Sequence, residues 1–251
     1  MLYLESGRVV EKKILTPEIY SLYLDTTKIA KISRPGQFIA IRFPFLYDPY
    51  LRRPFAIADT DGTKIRIVFR VRGRGTLLLS QVVEDNFLSV LGPLGNPIPE
   101  ITNEEVVLIS GGIGIAPFFF LAKVLVQKNK VSLFFGAKTG AELIMLNEFS
   151  RLGMENLLLA TENGEIGETG KITELVRKSK IPEKAIVFAS GPMPMYQELR
   201  KVIPNKIYAF FEKRMGCGTG LCLSCVIRKK DGGYLHLCRD GPALDLDLVK
   251  E

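Results

Sequence analysis

The chain has no tryptophan, one histidine and, before position 217, no cysteine. A single histidine, His236, excludes a histidine-rich metal centre and a two-histidine metalloprotease motif. It equally excludes a Rieske-type cluster, which takes two histidines. No apolar run approaches the ~18 residues of a spanning helix, so no transmembrane segment is expected. Residues 1–13 mix charges of both signs without a long apolar stretch, unlike a secretory signal, and a cytoplasmic location is expected. The net charge is +7, yet the longest basic run covers only residues 228–230. Basic residues are spread along the chain and suit anionic dinucleotides as well as they suit a polynucleotide, so no nucleic-acid partner is expected. What is present is ordinary for a folded protein: 251 residues, 47% hydrophobic and 24% charged. That length accommodates one large domain or two compact ones with a substantial core.

The pattern along the chain divides it into 1–102, 103–208 and 209–251. Residues 19–24, 37–43 and 65–71 are β-rich and separated by turn signals such as Pro35-Gly36 and Asp61-Gly62. This punctuation predicts an antiparallel barrel or sandwich, with one helix near 76–83. From position 103 the pattern changes. Short apolar strands at 106–109, 131–135, 157–159 and 185–189 alternate with helical stretches near 117–127, 141–150, 172–178 and 195–202. Such alternation predicts a parallel sheet that binds ligands beyond the carboxyl ends of its strands. The fold class is thus a β-barrel followed by an α/β nucleotide-binding domain and a small C-terminal lobe.

That lobe holds every cysteine. Cys217, Cys222 and Cys225 follow the pattern C-x4-C-x2-C, and Cys238 lies 13 positions further on. The spacing is that of plant-type [2Fe–2S] ligation. Glycines at 216, 218 and 220 let the backbone wrap a cluster and bring amide donors close to its sulfides. Residues 226–237 read as strand, Asp-Gly-Gly turn and strand, a hairpin that would return Cys238 beside Cys225. Structural zinc and unliganded thiols are the alternatives; zinc usually pairs two short knuckles, and only one short pair is present. His236 is expected to be structural.

Two glycine turns follow strands of the central part. Gly111, Gly112 and Gly114 precede Pro117 at a helix start, an arrangement that offers free amides to a pyrophosphate. The turn is not G-x-G-x-x-G and lacks an acidic ribose partner, which disfavours a standard Rossmann dehydrogenase. Ser190-Gly191-Pro192 repeats the strand-end turn; a plain βα loop is its alternative reading. In the barrel, Arg52 or Arg53 can pair with phosphate and Phe55 can flank an aromatic ring. Gly73, Gly75 and Thr76 form a second candidate phosphate cradle.

These elements together resemble the ferredoxin–NADP reductase superfamily. With the C-terminal cysteine segment, the whole chain resembles the electron-transfer subunits of class 1B dihydroorotate dehydrogenases. The resemblance implies FAD between barrel and nucleotide domain, contacted by Arg53, Pro54, Phe55, Ala56, Val68, Phe69, Arg70, Gly75 and Thr76. It implies NAD at Gly111, Gly112 and Gly114, with Gly191 and Pro192 on the nicotinamide side. Cys217, Cys222, Cys225 and Cys238 match the cluster ligands. The implied partner is an FMN-containing dihydroorotate dehydrogenase catalytic subunit in a heterotetramer serving pyrimidine biosynthesis. No residue is assigned acid–base catalysis on dihydroorotate. Ala56 departs from the pattern, which has serine or threonine there, so a hydroxyl contact to the flavin ring is missing. Leu221 and Leu223 are candidates for the partner surface, with a core role as the alternative. Rival readings are a subunit of an NADH-dependent ferredoxin–NADP oxidoreductase, a sulfide dehydrogenase-like subunit, and a zinc-stabilised binding protein without redox function.

Overall fold

The structure, a computed structural model, describes residues 1–44 and 48–250. They group into two compact units. The first comprises residues 1–98, 212–227 and 234–242; the second comprises 99–211, 228–233 and 243 onward. The segment expected as a separate lobe, 209–251, therefore contributes to both, because its hairpin tip and its end pack with the second unit.

The first unit is built on seven antiparallel strands: β1 (Tyr3–Thr16), β2 (Ile19–Asp25), β3 (Phe38–Arg42), β4 (Arg53–Ala56), β5 (Asp59–Thr60), β6 (Lys64–Arg70) and β7 (Phe87–Leu94). Their order is β4-β3-β7-β1-β2-β6-β5. Residues 57 and 58 link the two edges of the sheet: Ile57 N donates to Gln37 O at 3.1 Å and Ala58 N to Arg66 O at 2.9 Å. Val9, Leu22, Leu24, Ile39, Ile65 and Ile67 are fully shielded from solvent and form the core of the unit. Two helices, α1 (Thr27–Ile32) and α2 (Arg74–Gln81), complete this part of the unit.

The second unit is a parallel sheet with strands β8 (Glu105–Gly111), β9 (Lys130–Ala137), β10 (Asn156–Thr161), β11 (Glu168–Thr169), β12 (Ile186–Ser190) and β13 (Ile207–Phe210). Helices α3 (Ala116–Leu125), α4 (Leu146–Phe149), α5 (Ile172–Lys178) and α6 (Met193–Val202) connect them. Residues 106–110 are all buried, as expected where helices cover both faces. The helix expected over 141–150 is confined to α4, because Met145 takes φ 61° and interrupts it. With the edge strand β16 (Ala243–Asp245) added, the order β11-β10-β9-β8-β12-β13-β16 reverses between β8 and β12, placing the topological switch there.

The C-terminal segment forms a hairpin, β14 (Val226–Arg228) and β15 (Tyr234–His236), then α7 (Leu237–Asp240). It ends in β16 (Ala243–Asp245), which pairs antiparallel with β13. Lys206 and Asp245 clasp that edge at 2.9 Å. Among the described residues no helix is long and apolar enough to cross a membrane.

Candidate functional site

All four cysteines belong to the barrel unit. The hairpin returns Cys238 to Cys225, with the two sulfurs 3.3 Å apart. Two thiolates on one tetrahedral metal at ~2.3 Å stand roughly 3.8 Å apart, so this pair is close to a ligating geometry. Cys217 and Cys222 form the second pair: each accepts the other's backbone N–H at 3.4 Å. Thr219 N donates to Cys217 Sγ at 3.3 Å, and Gly220 N to Cys238 Sγ at 3.2 Å. Gly218 and Gly220 adopt φ 74° and 85°, the left-handed conformation that aims these amides at the sulfurs.

No three His, Cys, Asp or Glu side chains among the described residues converge as ligands of one ion. The thiols come as two pairs. A single zinc ion gathers its ligands round one point, whereas a two-iron cluster takes four cysteines shared between its irons. The donor set thus fits [2Fe–2S] better than zinc. Protonation follows the same division. Burial opposes ionisation of Cys217, but hydrogen bonds from Thr219 and Cys222 outweigh it and bring the pKa down to about 6. Hydrogen bonds from Ser224 and Cys217 lower Cys222. Burial, with the Cys225 thiol beside it, pushes Cys238 up to about 12. A bound cation would displace that proton.

The cysteine loop lies against the barrel rim. A Cβ on Gly218 would sit 3.3 Å from Leu94 Cδ1 and 4.0 Å from Phe38 Cε2. Asn96 secures the following segment, donating from Nδ2 to Arg239 O at 2.8 Å and from its amide to Gly241 O at 2.7 Å. Phe38 is also the register partner of Ala56 across β3 and β4. The strand Arg53-Pro54-Phe55-Ala56 and the cysteine loop therefore share a neighbour. Phe38 was not singled out from sequence, since an apolar residue in an apolar strand carries no local signal.

A pocket beside β4 is lined by Ile41, Arg42, Arg53, Phe55, Gly75 and Leu79, among others. Gly75 packs directly on Arg53, where a Cβ would come within 2.6 Å of Nε. Arg42 Nε is buried there without a hydrogen-bond partner, an unmet donor that an anionic group can satisfy. The residues fit the phosphates of a dinucleotide such as FAD. Phe55 and Phe69 have centroids 5.6 Å apart, and Val68 and Phe69 are buried, with Arg70 half-buried at the strand end. Two expected contacts are engaged elsewhere. Arg52 bonds Ala40 O, Ser89 O and Ser89 Oγ, tying β3 to β7. The Thr76 hydroxyl accepts from the amides of Arg72 and Gly73, holding the start of α2.

In the second unit, Ser110 and Ser190 lie opposite each other on β8 and β12. The chain leaves both strands as glycine turns that pack together. A Cβ on Gly114 would fall 2.3 Å from Ser190 O, and Gly111 abuts Pro192 and Met195. Gly112 has φ 54° with open space where a Cβ would stand. Residues 112–115 form a tight helical turn leading into α3, with Pro117 in its first turn. This places amide donors beside open space at the switch point, a site for a pyrophosphate.

His236 is half-buried, and its amide donates to Asp240 Oδ2 at 2.6 Å. Leu221 and Leu223 are 84% and 49% exposed, which removes them from the core.

Comparison with known proteins matches two family models to the chain. The iron–sulfur cluster binding domain of dihydroorotate dehydrogenase B matches residues 212–250. The oxidoreductase NAD-binding domain matches residues 108–201. The chain is 33% identical over 247 residues, 95% of each chain, to the dihydroorotate dehydrogenase B (NAD+) electron transfer subunit of Geobacillus kaustophilus. It is 34% identical over 243 residues, 94% of each, to that of Caldanaerobacter subterraneus. The structure of an NADH-dependent reduced ferredoxin–NADP oxidoreductase superposes with TM-score 0.87 at 30% identity, over 97% of this chain and 89% of that one. A ferredoxin–NADP+ reductase of Neisseria gonorrhoeae with bound FAD and NADP gives TM-score 0.69 at 17% identity, over 82% and 97% of the two chains. That last likeness is one of fold.

Proposed function

The chain belongs to the family of dihydroorotate dehydrogenase B (NAD+) electron transfer subunits, and from that premise we propose that it links NAD to an FMN-containing catalytic subunit in pyrimidine biosynthesis. That separate subunit oxidises dihydroorotate, and the two chains assemble as a heterotetramer in the cytoplasm. When bound, FAD exchanges two electrons with NAD and single electrons with a [2Fe–2S] cluster, and these groups supply the redox chemistry.

The residues of this chain bind and orient. Cys217, Cys222, Cys225 and Cys238 hold the cluster, with amides of Thr219 and Gly220 directed at the sulfurs. Arg53 and Gly75 take the flavin's phosphates, while Pro54, Phe55, Ala56, Val68, Phe69 and Arg70 border its ring. Ala56 offers no hydroxyl to that ring. Gly111, Gly112 and Gly114 receive the NAD pyrophosphate, and Gly191 and Pro192 lie beside the nicotinamide. The exposed Leu221 and Leu223 face the partner.

One observation carries this reading: the cysteine loop, at Gly218, and the strand bearing Arg53 to Ala56 share Phe38 as a neighbour. Anaerobic absorbance and metal analysis test it. Flavin absorbance with about two irons per chain supports it; colourless protein containing zinc overturns it. Orotate reduction by NADH is expected with the FMN subunit present and absent from the isolated chain.

The likeness to the NADH-dependent ferredoxin–NADP oxidoreductase favours a second reading, a subunit of a complex of that kind. Identifying the protein that co-purifies distinguishes the two.

A further inference from the structure

The turn at residues 190–192 is poor in donors. Pro192 has no amide hydrogen, and its carbonyl accepts from Met195 N at 2.9 Å within α6. The Gly191 N–H donates to the Tyr196 hydroxyl at 3.0 Å. That hydroxyl donates onward to Phe210 O at 2.5 Å. Tyr196 is 2% exposed, and its ring meets Phe211 edge-on at 5.4 Å. A buried phenol thus ties the turn to the end of β13. Removing its hydroxyl would leave a half-buried N–H and a buried carbonyl without their partner.

We infer that Tyr196 is a positioning residue for nicotinamide recognition, holding the only amide hydrogen of the Gly191–Pro192 pair inward. The inference rests on the reading above that this turn borders the nicotinamide. The turn then offers a ligand no amide hydrogen, which leaves an anion without a donor there and a neutral carboxamide unopposed. The neighbouring turn at 111–114 has the opposite character, with amides directed outward at a helix start. The pyrophosphate and the nicotinamide of one dinucleotide are sorted by the hydrogen-bond polarity of two backbone turns. Tyr196 acts through Gly191 and has no part in the redox step.

The test is anaerobic calorimetric titration of the protein, with its flavin already reduced by dithionite so that no hydride transfer follows binding, with NADH and with ADP-ribose, which lacks the nicotinamide. Tyr196→Phe keeps the ring and removes the hydroxyl. It is expected to weaken NADH roughly tenfold and leave ADP-ribose within about twofold. Equal weakening of both ligands would reduce Tyr196 to a structural residue and overturn the inference, as would no change in either. Wild-type protein that binds neither nucleotide would overturn the nucleotide reading itself. If Tyr196→Phe does not fold, Phe211→Leu serves instead: it removes the ring that meets Tyr196 edge-on and leaves Gly191 itself unchanged. The same selective loss of NADH supports the inference, and a uniform loss overturns it.

Discussion

The cysteine loop and the paired nucleotide turns use glycine for opposite purposes. In the loop, Gly218 and Gly220 take left-handed backbone so that amides and sulfurs meet; the functional atoms are side chains. In the turns, Gly114 lies flat against Ser190 because a side chain would not fit, and the functional atoms are backbone amides. The loop also closes locally, with the Cys217 amide donating to Cys222 Sγ and the Gly216 amide to Ser224 Oγ. The turns are remote in sequence and meet only because β8 and β12 are neighbours in a parallel sheet. One site is therefore written in spacing, the other in topology.

Mutations should separate the two. Cys222→Ser is expected to have the largest effect: iron falls from about two per chain towards zero, and transfer to the partner drops by more than about a hundredfold. Reduction of bound flavin by NADH should stay within about twofold, measured by stopped-flow absorbance. An intact cluster in that variant would remove Cys222 from the ligand set. Gly114→Ala is the converse. Overpacking against the Ser190 carbonyl should cost about 2 kcal/mol of stability, and flavin reduction by NADH should slow roughly thirtyfold with iron unchanged. Iron loss equal to that of the cysteine variant would show that the two sites do not fold independently.

The smallest effect sharpens the contrast within the loop. In cluster-free protein, Cys217 ionises above its lowered pKa of about 6, whereas Cys238 stays protonated to about 12. Iodoacetamide should therefore label Cys217 slowly at pH 5 and about tenfold faster by pH 7, because the thiolate is the nucleophile. Cys225 and Cys238, only 2% and 6% exposed, should resist. Uniform labelling of all four, read by peptide mass spectrometry, would contradict the paired arrangement.

The parts legible in sequence were those with a short repeat or a fixed spacing. β-rich, partly alternating runs between turn signals marked β2, β3 and β6, and glycine after an apolar run marked the ends of β8 and β12. The cysteine spacing and the Asp-Gly-Gly turn foretold the return of Cys238. Long-range assembly was not legible. The 14-residue β1 lacks clean alternation because its register shifts between Val9 and Glu11 and again near its end. Arg52 and Arg53 are adjacent and chemically alike. Only the fold assigns the first to carbonyls of β3 and β7 and the second to the pocket. Tyr196 sits on an amphipathic helix, and its hydroxyl finds Gly191 and Phe210 through tertiary packing alone.

The division of the C-terminal segment between the two units bears on how such proteins can be recombined. Residues 212–227 and 234–242 group with the barrel, while 228–233 and 243 onward group with the parallel sheet. A stretch of chain threaded through two bodies cannot be lifted out as a cassette. Grafting this cysteine segment onto a foreign flavoprotein would need matching seats on both host bodies: the hairpin tip brings its own partners, Leu248 and Lys250, but a chimera joined at position 212 would leave behind β13, the strand on which β16 pairs.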